Sequence, residues 1–140
     1  MLKQVSIFTQ NNRGAMQRIT ELLQREQINI LGSVTNDSPE YGIVRMVVSH
    51  PVKAAAMLKE EGYQCSLTDV IGAEVADEVG NLNRLLLALS ESNINVSYLY
   101  LSFNRVSGKP IMVFHCEDIE EVEECLKAKG FQVTDTEETV

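Results

Sequence analysis

The sequence repeats itself. Ile28-Asn29-Ile30 returns sixty-six positions later as Ile94-Asn95-Val96, and the same register sets Gly14 on Gly80, Met16 on Leu82, Ile19 on Leu85 and Leu23 on Leu89. Further on, Ile43 matches Ile111, Leu58 matches Leu126 and Gly62-Tyr63-Gln64 matches Gly130-Phe131-Gln132, now sixty-eight positions apart. The two extra residues fall in Ser107-Gly108-Lys109-Pro110, opposite Ser38-Pro39-Glu40-Tyr41-Gly42, where Pro and Gly punctuate a loop that tolerates insertion. A chain built this way folds as two similar units, with an expected boundary near Val70 that gives residues 1–70 and 71–140. Each half is close to the lower size limit for an independent core, so the units are expected to support one another rigidly.

Within a unit the hydrophobic period changes in a fixed order. Val5 and Ile7, like Ile71, Ala73 and Val75, alternate as a half-buried strand does. Met16, Ile19 and Leu23, or Leu82, Leu85, Leu86 and Leu89, follow at helical spacing. Segments 28–35 and 94–103, rich in β-branched and aromatic residues, return after a turn through 43–48 and 111–116 as a hairpin. Ala54, Met57 and Leu58, or Val122, Cys125 and Leu126, share one face of a second helix that Gly62 or Gly130 ends. A last strand over 63–70 or 131–136 closes the unit. The expected class is α+β: two tandem ferredoxin-like βαββαβ units with both helices of each on one sheet face.

Composition narrows the function. Twelve Lys and Arg against twenty Asp and Glu leave a net charge of −8, with no basic cluster to bind a phosphate backbone. Tyr98, Tyr100 and Phe103 lie on one expected strand, as in RNA-recognition modules, but the basic surround is missing, and core or interface roles suit them better. The longest apolar run, Leu85–Leu89, is far short of the roughly 20 residues that span a bilayer. Without a secretory-type leader, a cytoplasmic location is expected, with neither nucleic acid nor membrane as partner. Cys65, Cys116 and Cys125 are too widely spaced for a zinc site or disulfide framework and read as small buried hydrophobes. His115 and Cys116 are adjacent on a strand and point to opposite faces, which disfavours a thiol nucleophile with its base. His50, before Pro51, reads as a turn residue. Arg13 in the first loop suggests a phosphate-holding, acylphosphatase-like enzyme, but only one copy carries it. No enzyme activity, cofactor or metal is expected.

Ligand chemistry is concentrated in the loop before the first helix, which reads Gln10-Asn11-Asn12-Arg13-Gly14-Ala15 and Ala76-Asp77-Glu78-Val79-Gly80-Asn81. A glycine at a helix start permits positive φ and close backbone approach, and free N–H groups favour a carboxylate or phosphate there. The competing reading is an ordinary capped helix, with Asn12 or Asn81 satisfying the backbone donors. Asn29 and Asn95 recur at the head of the second strand, where an amide gains little in a core and could hold both ends of an amino acid. They could equally be turn-forming residues.

This order of loop glycine, amphipathic helix, (Ile/Val)-Asn-(Ile/Val) and late Gly-(Tyr/Phe)-Gln resembles ACT domains, over nearly the whole chain and twice. The second copy is the closer match. In the first, Arg13 stands where relatives often have proline, and Asn11 replaces the acid. The resemblance implies side-by-side domains forming one eight-stranded sheet, and a regulatory protein that binds a free amino acid at the seam. On that basis Asn11, Asn12 and Gly14, flanked by Arg13 and Ala15, would face Asn95. Asp77, Gly80 and Asn81, flanked by Glu78 and Val79, would face Asn29, and Leu31 and Ser97 would touch the ligand side chain. A homodimer and an amino-acid biosynthetic enzyme are the implied protein partners. A ligand-free interaction module of the same fold is the alternative.

Overall fold

The computed structural model describes residues 1–10, 12–36 and 42–135. In chain order they form β1 (Leu2–Thr9), α1 (Ala15–Arg25), β2 (Ile30–Asn36), β3 (Gly42–Val48), α2 (Pro51–Glu60), β4 (Gln64–Glu74), α3 (Asn81–Glu91), β5 (Tyr98–Phe103), β6 (Pro110–His115), α4 (Ile119–Ala128) and β7 (Gln132–Thr134). The chain divides into two compact units, one of residues Lys3–Thr68 and the other of Met1–Leu2 with the residues from Asp69 onward.

In the first unit β3 lies between β1 and β2, antiparallel to both, with Val5 opposite Met46 and Ile7 opposite Val44. The alternating side chains Val44, Met46 and Val48 join Val5 and Ile7 on one face, against Ile19, Leu22 and Leu23 of α1 and Ala54 and Leu58 of α2. Spacing of three and four residues on each helix makes this burial possible. The second unit repeats the plan: β6 pairs with β5 and with the last part of β4, which also pairs with β7. Ile71, Ala73, Met112 and Phe114 pack against Leu85 and Leu89 of α3 and Val122 and Leu126 of α4. Each fully buried Leu or Phe contributes about 1.5–3 kcal/mol through removal of apolar surface from water.

Two expectations need correction. There are seven strands among the described residues, not eight, because the strands expected at 63–70 and from Ile71 are one continuous strand, β4. No Gly or Pro stands between Gln64 and Ile71, and the extended run passes through Asp69-Val70 without a break. The second strands also start late, at Ile30 and Tyr98, which leaves Asn29 and Asn95 ahead of them. The cause is the way α1 and α3 end. Gln27 and Asn93 take a left-handed conformation at φ 58. Their N–H groups donate to the Gln24 and Ser90 carbonyls, and those of Ile28 and Ile94 donate to Leu23 and Leu89. These are Schellman turns, and they consume the residues expected to begin each strand. Gly62 and Gly130 close α2 and α4 in the same way, with Tyr63 donating to Leu58 and Phe131 to Leu126. Positions 37–41, which include most of the loop aligned with the insertion, lie outside the described residues, as does Thr136 at the expected end of the last strand.

Candidate functional site

The two glycine loops are built alike. Gly14 and Gly80 immediately precede α1 and α3 at φ 82 and φ 90, in the left-handed region that favours glycine. Asn12 N–H donates to Gln10 O, Ala15 N–H to Asn12 O and Arg18 N–H to Gly14 O. Glu78, Asn81 and Arg84 make the same three bonds to Ala76, Glu78 and Gly80. Among the described residues no side-chain cap bond is made at either helix start. The capped-helix alternative therefore does not describe these ends: Asn81 Nδ2 instead donates backwards to Ala76 O at 2.9 Å. An uncapped helix start presents N–H groups and the positive end of the helix dipole to an incoming anion.

The loop residues are placed differently in the two copies. Asn12, Arg13, Gly14 and Ala15 line a cavity of about 360 Å³ that also takes in Arg18 and Tyr63. Asn11 lies outside the described residues. In the second copy Asp77, Glu78, Val79 and Gly80 are all exposed, Val79 completely, and Asn81 is half-buried. Asn29 lines a separate hollow of about 400 Å³ with Thr20, Gln24, Gln27 and its isoleucine neighbours. Its backbone N–H donates to Ser49 Oγ and its carbonyl accepts from Ser49 N–H, both at 2.9 Å, so its side chain is presented from a fixed backbone. Leu31 is buried. Asn95 and Ser97 share a cleft of about 530 Å³ with Ser92, Glu117, Asp118 and Glu121. Ser97 N–H donates to His115 O at 2.9 Å, and Tyr98 stacks on the His115 ring at 5.6 Å.

Some neighbours of these residues were not anticipated from sequence. Arg18 and Tyr63 join the first loop, and their equivalents Arg84 and Phe131 meet directly, with the guanidinium 4.3 Å above the ring. The signal was present, since arginine recurs at an offset of sixty-six and the aromatic at sixty-eight. The carboxylates around Asn95 come from Glu117 and Asp118, just before α4, and from Glu121 in its first turn. The thiols have no comparable setting. Burial first, then Asp118 and Glu123, push the Cys116 thiol up to about 11, and burial raises Cys65, so neither supplies a thiolate near neutral pH. Among the described residues no group of His, Cys, Asp and Glu is arranged to hold a metal ion. No helix among them is long and apolar enough to cross a membrane.

Comparison with known proteins agrees with this architecture. No match was found among curated proteins. Among solved structures, protein BT0572 from Bacteroides thetaiotaomicron is similar at 30% identity and a TM-score of 0.86, covering 95% of this chain and 91% of that one. The regulatory subunits of aspartate kinase from Thermus thermophilus and Thermus flavus share the fold, at 16% and 15% identity and TM-scores of 0.64 and 0.60. Each alignment covers 90% of this chain and 88% of the other. The family model described as an ACT domain pair matches residues 1–139, and with the duplicated βαββαβ plan and its paired glycine loops in place, this chain belongs to the ACT domain pair family.

Proposed function

We propose that this protein is a regulatory sensor of a free amino acid and acts without catalysis of its own. The observation that carries this reading is the duplicated helix start: two positive-φ glycines, each followed by N–H groups with no side-chain acceptor among the described residues. Such a start suits a carboxylate. The ligand carboxylate is assigned to the loop amides around Gly14 or Gly80. Its ammonium is assigned to Asp77 or to the side-chain carbonyls of Asn29 and Asn95, which accept while their NH₂ groups remain free to donate. The pairing is the crossed one that the family implies, Asn12 and Gly14 with Asn95, and Asp77, Gly80 and Asn81 with Asn29. It places the ligand at the seam of the two domains. Asn11, Arg13, Ala15, Glu78 and Val79 belong to the same two loops, and Leu31 and Ser97 are assigned to the ligand's side chain. By the same reading the protein is a cytoplasmic homodimer whose partner is an enzyme of amino-acid metabolism.

The test is the thermal midpoint of the purified protein against each proteinogenic amino acid at millimolar concentration, because binding to the native state alone raises the midpoint. A selective rise that Asn95→Ala or Asp77→Ala abolishes, with the fold intact, supports the sensor. If no amino acid moves the midpoint, the reading is wrong. The second reading, a ligand-free interaction module, rests on three exposed apolar residues, Val79 in the second glycine loop and Leu82 and Leu86 on α3.

A further inference from the structure

Glu74, at the end of β4, is held in place without being neutralised. Asn104 Nδ2 donates to Glu74 Oε1 at 2.9 Å, and Ser107 Oγ lies 3.3 Å from the same oxygen. Asn104 is buried, and its Oδ1 accepts the backbone N–H groups of Val106 and Ser107 at 2.8 and 3.1 Å. Those two donors fix which way the amide points: its carbonyl must face the loop, so its NH₂ must face Glu74. Among the described residues no Lys or Arg pairs with Glu74, and no donor meets Oε2. A half-buried carboxylate oriented by a buried amide, with one oxygen left open, is set to receive a donor from outside the chain.

Glu74 lines a cleft of about 530 Å³, within the range of small-molecule sites, with Lys127, Phe131, Gln132 and Val133. Among the described residues Lys127 pairs with Glu124, at 3.5 Å and one turn back on α4, and both side chains are well exposed. Pairs of that kind hold their partners weakly, so the ammonium is free to swing to another anion. The cleft thus combines a fixed anion, a mobile cation and an apolar wall. The first copy has no such set, because Phe8 stands at the position equivalent to Glu74.

We propose that this cleft binds a small zwitterion, with its ammonium on Glu74 Oε2, its carboxylate on Lys127 and its apolar body against Phe131 and Val133. None of its lining residues is one of the glycine-loop or strand-head residues assigned to the sensor, and the proposal does not depend on that reading. The test is amide chemical-shift mapping of isotope-labelled, full-length protein with L-leucine, against isopentylamine and 4-methylpentanoate, which lack the carboxylate and the ammonium respectively. Leucine is expected to move the amides of Asn104, Lys127 and Gln132. The two truncated probes, and the variants Glu74→Gln and Lys127→Met, are each expected to weaken this by about tenfold or more. Glu74→Gln keeps an oxygen for Asn104 and Ser107, so its fold should survive. Asn95→Ala is expected to leave these shifts unchanged, which separates failure here from failure of the sensor. The proposal is overturned if leucine leaves these amides still, if isopentylamine binds as well as leucine does, or if Glu74→Gln has no effect.

Discussion

Leu2 occupies the space that any side chain at Gly72 would need. A β-carbon built on Gly72 would stand 2.5 Å from Leu2 Cδ1 and 3.0 Å from Ile111 Cγ2, and both of those side chains are fully buried. Interiors are packed nearly as densely as crystals, and forcing in a methyl group costs about 1–3 kcal/mol. Gly72→Ala should lower the urea midpoint accordingly. Because the nearest obstacle is the end of one flexible side chain, Leu2→Ala should absorb much of that penalty, and the double variant should lose less than the sum of the single ones. Strict additivity would show that Leu2 is not what meets the new methyl.

Gln27 and Asn93 adopt the left-handed conformation without being glycine. A side chain there costs roughly 1–2 kcal/mol, partly offset by the extra freedom that glycine brings to the unfolded chain. Gln27→Gly should therefore stabilise the protein by about 0.5–1 kcal/mol, read as a higher denaturation midpoint. A loss instead would mean that the Gln27 side chain, whose Nε2 donates to Gln24 O at 3.3 Å, matters more than the backbone strain.

These two turns also explain where the sequence was hardest to read. Helix ends at Gly62 and Gly130 were legible because glycine marks them, whereas glutamine at position 27 gives no such signal and the strand after it was expected two residues early. The order of strands and helices was legible twice over, since each copy's period confirmed the other's. Fusion into β4 was not, because a boundary inferred from repetition does not require a break in the backbone. At the site, the glycine loops were visible as local motifs. The contacts of Arg18 with the first loop, of Arg84 with Phe131 and of Asn104 with Glu74 depend on which residues the fold brings together, and on a hairpin loop whose shape the spacing alone leaves open.

The Cys116 thiol links stability to alkaline pH. Its native pKa of about 11 lies above the ordinary thiol value of 9.0, chiefly because of burial and then because of Asp118 and Glu123. Below pH 9 the thiol is protonated in both states and contributes no pH dependence. Between 9 and 11 the unfolded chain gives up its proton and the native one does not, so stability falls as pH rises through that window. Cys116→Val, of similar volume, should flatten this part of the stability profile, while Cys65, also raised by burial, should account for a remainder. A thiol reagent at pH 8 should label Cys125, which is less buried, well before Cys116.

Asn81 and Asn12 separate the roles of the two loops. Asn81 Nδ2 ties the second loop to Ala76 O, a bond worth about 0.5–1.5 kcal/mol. The residue at the equivalent place in the first copy is Ala15, which cannot make it. Asn12 caps nothing with its side chain, so Asn12→Ala should change stability by less than about 0.5 kcal/mol. Asn81→Ala should cost roughly 1 kcal/mol and loosen the loop ahead of α3, seen as faster amide exchange at Glu78 and Val79. If Asn12→Ala proved the more damaging, Asn12 would be acting as a helix cap after all, and the open donors at Gly14 on which the proposed carboxylate binding depends would be fewer than the structure presents. Equal and small losses would instead assign the shape of both loops to their glycines, at φ 82 and φ 90, and Gly80→Ala would then be the variant that collapses the proposed anion site.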